Sequence, residues 1–374
     1  MAVAAHTTNT LGLIADDLTG ASDTAVQFAR RGWTALLTLD DAGATYEHTT
    51  RDLSLLAITT DSRALDNARA EKLTADAMMQ VMDAGVSRVY LKIDSTMRGS
   101  VPGQIAGALA AWRTRHPDAV AVVCPAYPRM GRTVASNQLL VDDAPVHESS
   151  IGRDPVTPVT TSDLARLVPG SRHITPAQLV VNVAPIVTVD ARSDEDLATL
   201  AAAICAVGPS AIPVGSAGLA EAIAASTGRV QLQRDRHSPT RNAASPRMLI
   251  QVTSLNPVSR EQAARLSKAF PDVVVLLAPA ERVGNASVAE RLAATFADRV
   301  AQEPWDVLGL IGGDGARAAL RRLGASGIRI VDSVLEGIPL GVVVGGRADG
   351  MTIFTKAGGF GAADALVRVV ERLQ

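Results

Sequence analysis

Short apolar runs alternate with longer amphipathic stretches along most of the chain. Leu11 to Ala15 is the first run, and Gly20 and Ala21 then open a helical stretch through Ala29. Leu53 to Thr59, Val86 to Ile93 and Ala119 to Val123 repeat the pattern, the last closed abruptly by Pro125 and Pro128. Strand-length runs separated by helical periods predict an α/β fold with a mainly parallel sheet, because parallel strands need long crossovers. Between Ser136 and Asp163 the texture changes. There Gln138 to Val146 predicts a small hairpin around Asp142-Asp143, and Asp154-Pro155 with Pro158 predicts an irregular excursion.

From Thr227 to Met248 the chain is rich in Arg and Pro and poor in large apolar residues, which reads as an exposed connection. Beyond it the strand-like runs return at Met248 to Val252, Val273 to Leu277 and Val307 to Ile311. Helical periods follow them at Ser259 to Phe270, Ala286 to Gln302 and Ala316 to Leu323. The expected architecture is two α/β domains with mainly parallel sheets, residues 1–230 and 247–374, joined by a linker at 231–246. A ligand site is expected at the cleft between them. A length of 374 residues agrees with two domains, at about 150 residues each.

Composition removes several classes of function. Lys and Arg total 36 against 38 Asp and Glu, a formal charge of −2, so the chain as a whole is not built to hold nucleic acid or an anionic membrane. Aromatic residues are 3% of the chain, too few for base-stacking platforms. The two cysteines, Cys124 and Cys205, form no CxxC pair, which argues against a zinc ribbon and fits a reducing cytoplasm. Met1 to Thr10 lacks the basic and apolar regions of a signal peptide. The uncharged run Leu197 to Ala220 could span a bilayer by length, but Gly208, Pro209, Pro213 and Gly215 cut it into helix, turn and strand.

Polar residues gather where the runs end. Asp16 and Asp17 close the first strand and open its helix, a place where ligands bind in open α/β sheets and where helix caps are also common. Lys92, Asp94, Ser95 and Arg98 lie within seven residues at another strand end. Strand alternation puts Lys92 and Asp94 on one face, an arrangement suited to a carboxylate or polyol, or to a structural salt bridge. Arg63 follows a third strand. In the second half, Gly312-Gly313-Asp314-Gly315 runs from a strand into a helix, and Gly358-Gly359 lies in a second glycine loop. Such turns expose N–H groups that welcome phosphate. Gly313 to Ala318 also reads G-x-G-x-x-A, a weak dinucleotide fingerprint. No Walker motif, G-x-S-x-G elbow or H-E-x-x-H is present.

These segments, in this order, resemble the four-carbon acid sugar kinase family. The resemblance runs from Leu11 to Leu366. It is most specific at Ile14 to Asp23, Lys92 to Gly99, Pro125-Ala126-Tyr127-Pro128, Arg153-Asp154-Pro155, Gly215 to Ala220, Gly312-Gly313-Asp314 and Lys356 to Gly361. It implies an ATP-dependent kinase of tetronic acids or their 3-oxo forms, with an N-terminal sugar-acid domain and a C-terminal nucleotide domain. The matching substrate positions are Asp16 or Asp17, Arg63, and Lys92, Ile93, Asp94 and Ser95, with Arg98 beside them. The nucleotide positions are Ser254, Gly312, Gly313, Asp314, Gly315, Gly358 and Gly359. Two departures stand out. Where the family reads Ser-Gly-Ser-x-Ser-Pro-Val-Thr, this chain has Val252-Thr253-Ser254-Leu255-Asn256-Pro257-Val258-Ser259. Where the family reads Gly-Gly-Asp/Glu-Thr, it has Gly312-Gly313-Asp314-Gly315.

ATP with Mg²⁺ and a small sugar acid are therefore the expected ligands, with homo-oligomerisation left open. Phosphoryl transfer asks a protein mainly for positioning and charge stabilisation. Lys92 with Arg98 or Arg63 could hold the acid, and Asp17 and Asp94 are the two candidates for the base. The residues that would hold metal are not legible. Two competing readings are a non-catalytic paralogue that binds sugar acid and nucleotide, and an NAD-dependent dehydrogenase built on the G-x-G-x-x-A turn.

Overall fold

The computed structural model describes residues 10–39, 53–154, 156–227, 246–279 and 285–374, the side chains of 285–287 excepted. These residues divide into two compact units, each built on its own run of paired strands. Strand β1 (Leu11–Ala15) leads through Asp16 and Asp17 into helix α1 (Leu18–Ala29), and the chain then forms β2 (Ala35–Thr38). Next come β3 (Leu55–Thr59), α2 (Asn67–Asp83), β4 (Arg88–Lys92), α3 (Val101–Trp112) and β5 (Val120–Cys124). An excursion carries β6 (Arg132–Ala135), β7 (Gln138–Val141) and β8 (Ala144–Pro145). The unit is completed by β9 (Arg172–Ile174), β10 (Ile186–Val189), α4 (Asp194–Val207), β11 (Ala211–Gly215) and α5 (Ala217–Ser226).

In the first unit the strand order is β3-β1-β4-β11-β5-β10-β9, and every neighbouring pair is parallel. All five residues of β1, β3, β5 and β11 are buried. That is why their sequences run continuously apolar rather than alternating: helices cover both faces of such a sheet. The expected hairpin is present. Asp142 and Asp143 take left-handed φ of 50° and 63° between β7 and β8, the geometry a two-residue hairpin turn requires.

In the second unit, β12 (Met248–Val252), α6 (Pro257–Ala269), β13 (Val274–Leu277), α7 (Asn285–Gln302), β14 (Val307–Ile311) and α8 (Gly313–Arg322) repeat the strand–helix pattern. Then β15 (Gly327–Leu335), β16 (Ile338–Val344), β17 (Thr352–Lys356) and α9 (Ala365–Leu373) close the chain. The order is β13-β12-β14-β17-β16-β15-β2. The core here joins Ile250, Ile311 and Phe354 to Leu266, Leu366 and Val370.

This sheet departs from the mainly parallel expectation. It is parallel from β13 to β17 but antiparallel across β17, β16, β15 and β2. The reason is local: only Glu336 and Gly337 separate β15 from β16, and so short a link can join only antiparallel strands. The expected assignment of all of residues 1–230 to the first unit also needs one correction. Residues 34–39 belong to the second unit, where β2 pairs with β15 from Ala35↔Ile330 to Thr38↔Gly327. The expected linker lies, but for Pro246, outside the described residues, as does Pro155.

Candidate functional site

The first cluster forms where the strand order reverses. The chain passes from β1 to β3 on one side and then to β4 on the other, so the carboxyl ends of these three strands flank the place where open α/β sheets bind ligands. Ala15 and Lys92 are register partners, which sets the ends of β1 and β4 side by side. Each end contributes charge.

Asp16 and Asp17 do different work. Asp17 caps α1, accepting from the Gly20 N–H at 2.8 Å and the Thr19 hydroxyl at 2.7 Å. Asp16 is sealed inside, its side chain 0% exposed, and Arg63 grips both its oxygens at 2.7 and 2.8 Å. Arg63 also donates to Asp17 at 3.0 Å. Its guanidinium is thus spent on the two aspartates, and it braces the site rather than offering a free clamp. Burial, with Asp17 nearby, pushes the Asp16 carboxyl above the usual carboxylate range against the pull of Arg63. Burial acts on Asp17 too, but Arg63 and Lys92 outweigh it and hold that carboxyl below the usual range.

Asp94 is held more tightly. Arg98 donates to its two oxygens at 3.2 and 2.7 Å, and the Thr96 N–H at 2.9 Å and the Thr96 hydroxyl add two more bonds. Burial is overcome by Arg98 and Arg63, and the Asp94 carboxyl sits well below its ordinary range. Arg98 reaches further to Asp154 at 3.4 Å, on the irregular excursion. Sequence reasoning quoted Asp154 within a motif but gave it no role at the site. Ser95 is half-buried beside this group. Ile93 is not a polar contact: its side chain is buried in the core and its N–H donates to the Gly215 carbonyl.

Lys92 differs from the other cations. It is buried, yet among the described residues it reaches no carboxylate within 4 Å and donates no hydrogen bond. A methyl group placed on Gly20 would lie 2.6 Å from its Nζ, so the bare first turn of α1 makes room for the ammonium. A buried ammonium with open donors is able to donate to the oxygens of an anionic ligand.

The second cluster lies at the carboxyl ends of the adjacent parallel strands β12, β14 and β17. Gly312 turns the chain from β14 into α8 with φ of 103°, and its N–H donates to the Lys356 carbonyl at 3.0 Å. The tight turn therefore falls at Gly312, with Gly313 and Gly315 already inside the helix. A dinucleotide fingerprint needs its first glycine in the turn, so the G-x-G-x-x-A match does not have its proper setting. Helix geometry leaves the N–H groups of Gly313, Asp314 and Gly315 without intrahelical partners. Asp314 is exposed, and a side chain placed on Gly313 would meet open space.

Ser254 ties the three loops together. A Cβ on Gly358 would lie 2.8 Å from Ser254 Cβ, and one on Gly312 would lie 3.0 Å from Ser254 N. Gly359 is exposed beside the Asn256 amide. Gly315 is a packing glycine: a Cβ there would sit 2.6 Å from Thr253 Cβ and closer still to its methyl and hydroxyl. The two departures from the family pattern are thus one feature. Thr253 occupies the volume that a threonine at 315 would need. Lys356, which sequence reasoning left without a role, is fully buried beneath the second glycine loop.

A reversed-order α/β unit with a charged strand-end cluster, and a second α/β unit with converging glycine loops, define a two-site ligand-binding protein. Family comparison makes this specific. The family described as Sugar-binding N-terminal domain matches residues 11–223, and that described as Nucleotide-binding C-terminal domain matches residues 276–366. A D-threonate kinase of Bordetella bronchiseptica is 39% identical over 97% of this chain and 97% of its own. A D-erythronate kinase of Heliobacterium modesticaldum is 28% identical over 95% of this chain and 96% of its own. A crystal structure from Bordetella bronchiseptica, a domain-swapped dimer with bound citrate, is 38% identical. It covers 97% of this chain and 98% of its own at a TM-score of 0.55. The chain belongs to the four-carbon acid sugar kinase family.

Proposed function

We propose that this protein is an ATP-dependent kinase that phosphorylates the terminal hydroxyl of a four-carbon sugar acid, with D-threonate the first substrate to test. The observation that carries this reading is the match over nearly the whole chain to a D-threonate kinase. The sugar acid is assigned to the first unit, where Lys92 supplies the open cation, Ser95 a hydroxyl and Asp17 a carboxylate. Arg63, Asp16, Asp94, Arg98 and Asp154 fix the geometry around them. Nucleotide is assigned to the second unit, at Ser254, the start of α8, and Gly358-Gly359.

Of the two base candidates, the geometry favours Asp17. Both carboxylates have both oxygens hydrogen-bonded, so access decides, and the Asp94 side chain is 9% exposed. Asp17 is 21% exposed and lies beside the Lys92 ammonium. In the reaction the substrate hydroxyl oxygen forms a bond to the γ-phosphorus as the bond to the ADP oxygen breaks. The hydroxyl proton passes to an Asp17 oxygen, and ADP leaves with the bonding electron pair. Arg63 and Lys92 keep the Asp17 carboxyl ionised, the form a base requires, while also weakening its hold on the proton.

Among the described residues no group of three acidic, His or Cys side chains could hold a metal ion. That suits Mg²⁺, which binds through one or two carboxylates plus substrate phosphates rather than in an all-protein cage. Asp314 is the carboxylate that would meet it, and the ion would supply charge neutralisation on the phosphates. No helix among the described residues is long and apolar enough to cross a membrane. A homodimer is the first assembly to test, given the dimeric relative.

The test is ADP release over D-threonate, D-erythronate and their 3-oxo forms. Turnover dependent on one of these acids is expected. Binding of acid and ATP with no ADP release would instead make the protein a non-catalytic paralogue.

A further inference from the structure

Lys356 ends β17 and is wholly buried, yet no carboxylate lies within ion-pair distance of it among the described residues. Its ammonium donates to the carbonyls of Ala357 at 2.8 Å and Gly358 at 3.4 Å. Two further buried side chains act on the same loop from α6. The Ser259 hydroxyl donates to the Gly358 carbonyl, and the Gln262 amide donates to the carbonyls of Phe360, Gly361 and Ala362 at 3.0, 3.2 and 2.7 Å. Five loop carbonyls are therefore drawn inward. The N–H groups of Ala357, Gly358 and Gly359 are left with no acceptor among the described residues. Successive free amides make an anion-binding concavity, and a buried ammonium without a counter-charge calls for an anion.

We infer that Lys356 is a positioning residue for nucleotide: with Ser259 and Gln262 it turns the 357–362 loop so that its amides meet a phosphate, whose charge then balances the ammonium. This rests on the kinase reading and names the device that makes its second unit selective for phosphorylated ligands. The surroundings support it. Neither β14 nor β16 carries a charged residue. On α6, Glu261 pairs with Arg265 and Arg260 donates to the Ala278 carbonyl. Arg372 of α9 donates to the Val334 carbonyl, while Arg368, Glu371, Asp364 and Asp314 are exposed. Burial without compensation brings the Lys356 amine down to about 8. A phosphate beside it must raise that value again, so binding takes up a proton in mildly alkaline solution.

Calorimetric titration of the intact protein with MgADP at pH 8.5, in two buffers of different ionisation enthalpy, reads that proton directly. An amine moving from about 8 to roughly 10 gives an uptake of about 0.7 proton. Adenosine, which lacks phosphate, should give none. Lys356→Met should bind MgADP about 10-fold or more weakly and show no uptake, a signature that loss of loop shape alone would not produce. Should that variant fail to fold, the wild-type proton count still decides. MgADP binding with no proton uptake, or Lys356→Met binding as tightly as wild type, overturns this inference alone. Absence of any MgADP binding by wild type would sink the nucleotide reading and this inference with it.

Discussion

Gly313→Val offers a clean test of where the phosphates sit. Gly313 is the first residue of α8, and a Cβ there meets no heavy atom within 4 Å. It is not among the residues with left-handed φ, so valine can take the same backbone conformation. Within a helix valine is, if anything, a few tenths of a kcal/mol better than glycine. The melting temperature should therefore hold or rise slightly. Ligand binding should not. If phosphate approaches the free N–H groups at the α8 start, the branched side chain stands in its way, and one charge-assisted hydrogen bond of about 1.5–3 kcal/mol is lost. At about 1.4 kcal/mol per tenfold, MgADP affinity should fall roughly 10- to 150-fold. Calorimetric titration reads the affinity, thermal unfolding reads the fold, and D-threonate binding serves as a control in the other unit. A variant that melts normally and binds MgADP within about twofold of wild type would show that phosphate does not approach this helix.

Gly315→Thr should lower both melting temperature and MgADP affinity, because its side chain collides with Thr253, whereas Thr253→Gly/Gly315→Thr should recover both; a double variant as poor as the single one refutes the shared volume. Lys92→Ala should keep the fold and lose sugar-acid affinity about 10-fold or more, since it removes an open cation. Arg63→Ala should instead destabilise by about 3–5 kcal/mol, because it strands the buried Asp16 charge; equal melting temperatures for the two variants would contradict this division. Asp17→Asn should lose about 10²-fold or more in kcat with sugar-acid affinity within about threefold, while Asp94→Asn should lower melting temperature and affinity first. If both retain near-normal kcat, neither is the base. The depressed Asp94 carboxyl stabilises the fold above its unfolded pKa of about 3.9 and loses that contribution as pH falls toward the folded value. Asp94→Asn should therefore flatten the loss of stability below pH 4 in acid unfolding curves, and an unchanged slope would remove Asp94 as a contributor.

Most of the parallel strands, though not β9, β10 or β17, were legible because burial on both faces leaves its mark on sequence. A fully buried strand such as Met248–Val252 is apolar at every position but Gln251, and the helix that follows it, Pro257–Ala269, buries one face and exposes the other. The antiparallel part of the second sheet leaves a weaker mark. Along Gly327–Leu335, exposed Arg329 and half-buried Asp332 interrupt the apolar positions, and bulges break the register after Ile330 and Ser333. Alternation is blurred there and the strand passes unnoticed. Residues 35–38 present a different difficulty. The sequence analysis assigns them no element, and their place in the second unit follows from the pairing with β15.

The site divides along the same line between what side-chain chemistry announces and what backbone geometry decides. Asp16, Asp17, Lys92, Asp94 and Arg98 stand out as candidates because charge at a strand end is conspicuous. Their ranking could not, since the sequence does not say that Arg63 is spent on Asp16 and Asp17 while Lys92 is left open. In the second unit the proposed phosphate contacts lie mostly in N–H groups, which every sequence possesses. Glycines mark where backbone is exposed, but Gly313 opens onto solvent and Gly315 onto Thr253, two residues apart on one helix. The residues that orient the last loop, Ser259 and Gln262, are ordinary polar positions of an amphipathic helix until their carbonyl partners 98 to 100 residues away are known. A kinase assembled this way can exchange Gly for Thr at 253 provided 315 makes the reverse change. In the proposed site phosphate would be held by the path of the backbone, and that path survives when the side chains filling the space behind it are exchanged.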